Sequence, residues 1–408
     1  HRANVYTAYE YLEQRFDACQ WTSYGWKDFG DKSSYQKAAP ALTHSFNNHH
    51  YDEPRTQFHQ FLRSGDIKWF HQGVIGARHF MDIDVQHSPG PNRYAEFSGT
   101  QPNHGPGFVW MHYSHDHQGL GHVSHFHLSG LSQYYLLTGD GRAREVLKEV
   151  ADYTAALIED PPATLYGETL AEGSFQRCAP RSEGYWGMPS DLGWLAHLMH
   201  QAYQATGDPR YPRAAAKIMR TLIKLWRTPR PHLRRGKRIG THQPPRGCWA
   251  FYWEEDGKIS TGLEGWGSAI ILVSVVEFIH DNERLRLLPQ RTLVRMAHEN
   301  ARYLAKYHWD PQARAFRYGE NNGPDWKRGY WPNSLYLFPI QAVARLTGDT
   351  RLANVCTRTY HGPLGLQACM KNDNFHFGIS MWLTGHYLAL AGPRQSGTSK
   401  WKFMGAES

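Results

Sequence analysis

The feature that most constrains this chain is a short signal that returns about every 70 residues. An apolar helical pattern runs into Gly65-Asp66, Gly139-Asp140, Gly207-Asp208 and Gly348-Asp349, and Asp281-Asn282 stands at the fourth place in the series. A second helical pattern follows each. Glycine ends a helix because it enters the left-handed region without a Cβ penalty, and aspartate caps the next helix by accepting from its first free amides. Each unit therefore predicts a tight helical hairpin. The expected pairs are 54–63 with 67–82, 123–137 with 141–158, 189–205 with 209–226, 262–279 with 284–306, and 333–346 with 350–360. An N-terminal helix near 5–17 and a last one near 374–391 would complete a sixth pair.

First helices are rich in Gly, Leu, Trp and Tyr and read as inner. Second helices carry solvent-type faces, such as Arg142, Arg144, Lys148 and Asp152, and read as outer. Connections within a hairpin are two to four residues. Those between hairpins are long, at about 83–122, 159–188, 227–261, 307–332 and 361–373. Antiparallel hairpins in a ring put all short turns on one rim and all long loops on the other, and loops of such length are usually functional. The expectation is an all-α chain, an (α/α)6 toroid over residues 49–392. Residues 1–48 would pack on the ring and 393–408 would form a tail. An open solenoid would split each 70-residue unit into two shorter repeats, which the long loops oppose.

Composition narrows the function. Aromatic residues make up 14% of the chain, with 15 Trp and 23 Tyr. Flat, amphipathic rings in that number suit sugar rings. The net charge is +8, which favours an anionic partner. Nucleic acid is not expected, because the only dense basic run is Arg227–Arg238 and no nucleic-acid-binding signature is present. No 18-residue apolar stretch predicts a membrane span. The five cysteines are odd in number, widely spaced and without CxxC, and are expected to be buried thiols. The first residues include no Met and no signal-peptide hydrophobic core, so a mature or excised form is expected.

The most unusual stretch runs from Met111 to Asp140 and packs six histidines into His112–His127. His122-x-x-His125-x-His127 has spacing that would suit zinc, copper or nickel. On a continuous helix, however, positions 125 and 127 point apart, and no Cys or carboxylate joins them, so no metal is expected there. Calcium at Asp82-Ile-Asp84 is the one cation site kept open, and no cofactor is required.

The opening third resembles a known group. Trp26-Lys-Asp-Phe-Gly30-Asp31, Asn47-Asn48, Tyr51-Asp52-Glu-Pro-Arg55, Phe61-Leu-Arg-Ser-Gly65-Asp66, Arg78-His79, Asp82-Ile-Asp84-Val-Gln-His87 and Ser124-His125 occur in the order seen in exo-rhamnogalacturonan lyase-like polysaccharide lyases. Tyr134–Asp140 resembles the ring motif of α/α-toroid carbohydrate-active enzymes. The resemblance covers about 20–210 and fades afterwards to toroid periodicity. It implies a polysaccharide lyase acting by β-elimination on a uronate-containing chain. It departs at His127 and Ser129, where that group commonly carries an aromatic and an acidic residue.

Such a reaction needs a group that neutralises the uronate carboxylate, a base for the C5 proton and an acid for the leaving oxygen. The catalytic candidates are His125, which matches the family position and is expected to start the second inner helix, with His122, Tyr113, His115 and Arg181. The substrate-binding candidates are His127, His112, His50, Tyr51, His87, Arg177, Tyr185, Trp186, Trp253 and Trp331, and Trp249 is a further stacking platform. The partner expected is an anionic polysaccharide. A secreted or periplasmic location suits that substrate. Two other readings stay open, a glycoside hydrolase of the same toroid type and a non-catalytic carbohydrate-binding protein. A hydrolase would need two placed carboxylates, and nothing in the sequence pairs Asp191, Glu183, Glu254 or Glu264.

Overall fold

The computed structural model describes residues 32–34, 45–47, 52–88, 105–109, 127–159, 164–165, 168–169, 189–227, 233–234, 237–238, 249, 251–255, 258–262, 265–317, 333–363, 387 and 390. Five helical hairpins make up most of them. They are α1 (Glu53–Ser64) with α2 (Ile67–His79), α3 (Ser129–Thr138) with α4 (Gly141–Glu159), α5 (Pro189–Thr206) with α6 (Arg210–Arg227), α7 (Gly265–Leu285) with α8 (Gln290–Tyr307), and α9 (Ser334–Thr347) with α10 (Thr350–Tyr360). Odd-numbered helices pack on one another in sequence order, from α1 to α9, and α4, α6, α8 and α10 do the same outside them. The chain is an α/α toroid. The sixth pair lies outside the described residues, except that Tyr387 and Leu390 are helical and buried. Tyr387 packs on Tyr360 of α10 at 5.3 Å between ring centroids.

The burial pattern explains the two layers. The inner helix α7 is buried almost without a break from Gly267 to Ile279, as a helix with neighbours on all sides must be. The outer helix α4 buries Ala143, Val146, Leu147, Val150, Ala151, Thr154, Leu157 and Ile158, three or four residues apart, and turns the rest to solvent.

Four hairpin turns share one construction. Gly65, Gly139, Gly207 and Gly348 all sit at φ +72°. The carboxylates of Asp66, Asp140, Asp208 and Asp349 accept from the amides of Lys68, Arg142, Arg210 and Arg351 at 2.9–3.0 Å. A hydroxyl precedes each glycine. Those of Ser64, Thr138, Thr206 and Thr347 donate to the carbonyls of Gln60, Tyr134, Ala202 and Val343.

The fourth turn departs from the expectation. Asp281-Asn282 is not a turn: α7 continues through it to Leu285 and the chain reverses over 286–289, with Arg286 at φ +56°. No glycine stands there, so an amide side chain replaces it. Buried Asn282 accepts from the Leu288 amide at 2.8 Å and donates to the Leu288 carbonyl and to Gln290 Oε1, while Gln290 donates to the Ile279 carbonyl.

Two other expectations are corrected. The helix expected to reach 82 ends at His79 and widens into a π-helical turn, Phe80–Asp84. Short antiparallel ladders also occur, β1–β2 (Lys32–Ser34, Ser45–Asn47) in the segment before α1 and, in the long connections, β3–β4 (Thr164–Leu165, Glu168–Thr169), β5–β6 (Leu233–Arg234, Lys237–Arg238), β7–β8 (Phe251–Glu255, Lys258–Gly262) and β9–β10 (Trp309–Asp310, Ala315–Phe316). Three of them leave two residues between the paired strands, Tyr166-Gly167, Arg235-Gly236 and Asp256-Gly257. X-Gly is the composition that two-residue hairpin loops demand.

Candidate functional site

The interior of the ring holds a polar network that its apolar helices would not need for packing. It starts where α1 meets α3. Asp52 precedes α1, and both of its carboxylate oxygens accept from the Gly130 amide at 3.0 Å. That bond caps α3 from a neighbouring hairpin. α3 begins at Ser129, with Leu128 before it outside the helix, where a start near 123 was expected. A Cβ on residue 130 would lie 2.4 Å from Asp52 Oδ1, so only glycine lets the two helix ends come so close. Arg55, one turn into α1, is buried and lies within electrostatic reach of Asp52 and Glu277.

The network continues on α5 and α7. His197 Nδ1 is 2.6 Å from Glu277 Oε2, and both side chains are buried. His197 Nε2 is in close contact with Gln201 Nε2. Gln201 Oε1 accepts from the Leu128 amide at 2.8 Å. One turn on, His200 Nδ1 is 2.8 Å from Asp281 Oδ2, and Gln204 donates to Asp281 Oδ1 at 3.1 Å. On the other side, Gln133 of α3 donates to His59 Nε2 of α1 at 2.7 Å.

Burial and charge set the protonation of these groups in opposite directions. For His59, burial dominates and Arg55 adds to it, so the imidazole falls to about 3 and stays neutral. For His200, burial opposes charge, but Asp281 and Glu277 outweigh it and lift the imidazole to about 9, so it is a cation at neutral pH. Burial raises Asp52 above the ordinary carboxylate range despite Arg55 and the Gly130 bond. Burial also pushes Glu277 up, but His197, His200 and Arg55 overcome it and hold the carboxylate low. Neutral and charged imidazoles thus stand beside an arginine within one buried cluster.

Of the candidates read from the sequence, His127 and His87 are described in full. His127 is buried at the edge of this network, its ring edge-on to Trp194 of α5 with centroids 4.9 Å apart. His87 lies elsewhere. Its Nδ1 is 2.6 Å from Glu149 on the outer helix α4 and its Nε2 is 2.5 Å from the Met81 carbonyl, so both ring nitrogens are committed to protein partners. Trp253 lies in strand β7. Trp249, expected as a stacking platform, is instead core, with its indole donating to the Leu222 carbonyl. His125, His122, Tyr113, His115, Arg181, His112, His50, Tyr51, Arg177, Tyr185, Trp186 and Trp331 lie outside the described residues. At the calcium candidate the two carboxylates do not converge: Asp84 is buried 3.2 Å from His79 Nε2, while Asp82 is exposed. Among the described residues no three His, Cys, Asp or Glu side chains gather as metal ligands would.

Sequence reasoning missed His59, His197, His200, Gln201, Glu277 and Asp281. A signal was present. His197, His200, Gln201 and Gln204 follow i, i+3, i+4, i+7, which is one helix face, in an otherwise apolar helix. Glu277 interrupts the run Ile270–Ile279.

No family model matches the chain, and no curated protein does. Solved structures do match. A polysaccharide lyase superposes with a TM-score of 0.51 at 11% identity, covering 86% of this chain and 92% of its own. A family 105 glycoside hydrolase from C. acetobutylicum gives 0.51 at 10% identity, covering 93% and 99%. An unsaturated glucuronyl hydrolase specific for heparin gives 0.50 at 12% identity, covering 91% and 94%. At such identities the likeness is one of fold. It is met at the level of the toroid, and not of the exo-rhamnogalacturonan lyase-like group in particular. This chain therefore shares the α/α toroid with lyases and hydrolases alike, and its chemistry rests on its own side chains.

Proposed function

We propose that the protein is a carbohydrate-active enzyme of the lyase class that cleaves a uronate-containing anionic polysaccharide by β-elimination. One observation carries the reading. The described interior carboxylates are turned inward, Asp52 to Gly130, Glu277 to His197 and Asp281 to His200 and Gln204, while the imidazoles around them span neutral and cationic states. That favours proton transfer by imidazole over a free carboxylate pair. The positive net charge and the abundance of Trp and Tyr suit an acidic sugar chain.

In the proposed reaction Arg181 neutralises the uronate carboxylate, which stabilises the enolate formed when the C5 proton leaves. The base is drawn from His125, His122 and His115. The electron pair of the broken C5–H bond forms the C4–C5 double bond, the C4–O bond breaks, and Tyr113 or a histidine protonates the departing oxygen. His127, His112, His50, Tyr51, Arg177, Tyr185, Trp186, Trp253 and Trp331 are the proposed substrate contacts, and His87, held by Glu149 and the Met81 carbonyl, is not among them. The steps use side chains alone.

A second reading has one observation of its own. Asp52 is raised by burial, as a general acid of a glycoside hydrolase would be. Ultraviolet absorbance separates the two. A panel of pectic, ulvan-like and glycosaminoglycan chains should give growing absorbance from the conjugated C4–C5 double bond, and His125→Ala should stop it while leaving binding intact. Saturated reducing sugars without that absorbance would replace the lyase reading with the hydrolase.

A further inference from the structure

We infer that His197 is a positioning residue, held as its neutral Nδ1–H tautomer by a one-way hydrogen-bond chain that ties Leu128, and with it the end of the histidine-rich segment, to Glu277 on α7. The inference rests on the reading above in taking that segment as the reactive one.

The direction of the chain follows from its first member. A backbone N–H can only donate. The Leu128 amide lies 2.8 Å from the Gln201 side chain, so the atom it meets is the amide oxygen. The other end of Gln201 is then the NH2 group, which has protons to give and no lone pair to receive one. It faces His197 Nε2, so that nitrogen must be unprotonated. The imidazole proton sits on Nδ1, 2.6 Å from Glu277 Oε2, and the carboxylate accepts it. Leu128, Gln201, His197 and Glu277 thus form one line of donors from the start of α3 to the middle of α7.

The surroundings keep the far end ionised. Glu277 is held low against its burial by the hydrogen bond from His197 and by the charges of His200 and Arg55. The charged groups facing the line are Arg55 and Asp52 from α1, His200 on α5 itself, and Asp281 on α7. A second contact ties His127 to the same place, because Trp194 stands between two imidazoles, edge-on to His127 at 4.9 Å and to His197 at 6.1 Å. Residues 127 and 128 are therefore both fixed through α5, one by its ring and one by its backbone. A second proton on His197 would turn its Nε2 into a donor facing a donor. Gln201 would have to flip, and its NH2 group would then oppose the Leu128 amide.

The test uses the full chain labelled with 15N at histidine, with His197→Gln identifying the signal. The expected result is one neutral imidazole, protonated at Nδ1 and bare at Nε2. In Gln201→Glu a carboxylate oxygen replaces the NH2 group, so the same signal should become an imidazolium while the Leu128 bond persists. A wild-type signal that is Nε2-protonated or already an imidazolium overturns the inference, whatever the reaction proves to be. Turnover is the second measurement. Gln201→Leu keeps the side-chain volume and breaks the line, and is expected to lower kcat roughly tenfold or more with KM little changed. An unchanged kcat with a clean Nδ1–H signal leaves the tautomer standing and refutes the positioning role.

Discussion

At the short-turn rim, four hairpins use the same residues, a hydroxyl, a glycine and an aspartate, to satisfy backbone groups within six positions of one another. In the ring interior no such motif recurs from hairpin to hairpin, and partners from different hairpins stand 73 to 81 residues apart, as in Gln201 with Leu128 or His200 with Asp281. The rim is local, repeated and solvent-facing. The interior is long-range, unrepeated and buried. Losing one partner at the rim leaves a group that water can reach. Losing one in the interior strands a charge.

That contrast can be broken most severely at Glu277. Glu277→Leu should remove about 3–5 kcal/mol, because it takes one anion from the buried cations Arg55 and His200 and leaves the His197 Nδ1–H without its carboxylate acceptor. Chemical denaturation would measure it, and a loss below about 1 kcal/mol would mean that the interior is no more coupled than the rim. The second effect depends on pH. The imidazole of His200 is raised from 6.5 to about 9 in the folded chain, so its contribution is complete below the unfolded value and is lost as pH rises through 9. Thermal melting of wild type against His200→Asn should show a gap on the order of 3 kcal/mol near neutrality that closes toward pH 9. A gap that widens with pH would refute the assignment.

The rim should respond less. Asp349→Ala is expected to cost about 1–2 kcal/mol, since the carboxylate caps α10 and also takes His298 at 2.9 Å. Gly207→Ala should cost about 1 kcal/mol. Nothing lies within 4 Å of the added Cβ, so the penalty is conformational alone, and Gly207→Asn should recover part of it. Denaturant midpoints would rank both below Glu277→Leu, and a reversal of that order would erase the distinction between the two regions.

The same contrast decides what could be read from the sequence. The ring was legible because each hairpin announces itself within a few residues, through Gly at φ +72° and Asp at the next helix start. Where that signal is intact, the helix ends that meet at the turn agree with the expectation to within a few residues. The start of α3 was not legible, because its cap is Asp52, 78 residues upstream. The fourth turn was misread because Asp281-Asn282 has the composition of a turn but lies inside a buried helix. The interior network escaped for a related reason. A helical histidine shows its spacing in the sequence, but not that Glu277 or Asp281 of another hairpin will face it. The ladders β3–β4, β5–β6 and β7–β8 do carry a signal in the sequence, the X-Gly pairs Tyr166-Gly167, Arg235-Gly236 and Asp256-Gly257 between their strands.

The length of α7 has a consequence for how such a ring can change. At 21 residues it is longer than any other described helix, and the surplus lies at the end where its siblings turn back. By moving the reversal to 286–289 and closing it with Asn282 and Gln290, the chain placed Asp281 inside the wall, where it holds His200. The neighbouring hairpins keep their own turns. A toroid of near-equivalent hairpins can therefore be edited one stave at a time: a single stave lengthens by a turn, its reversal is rebuilt locally, and a new charge arrives in the interior while its neighbours keep their own turns.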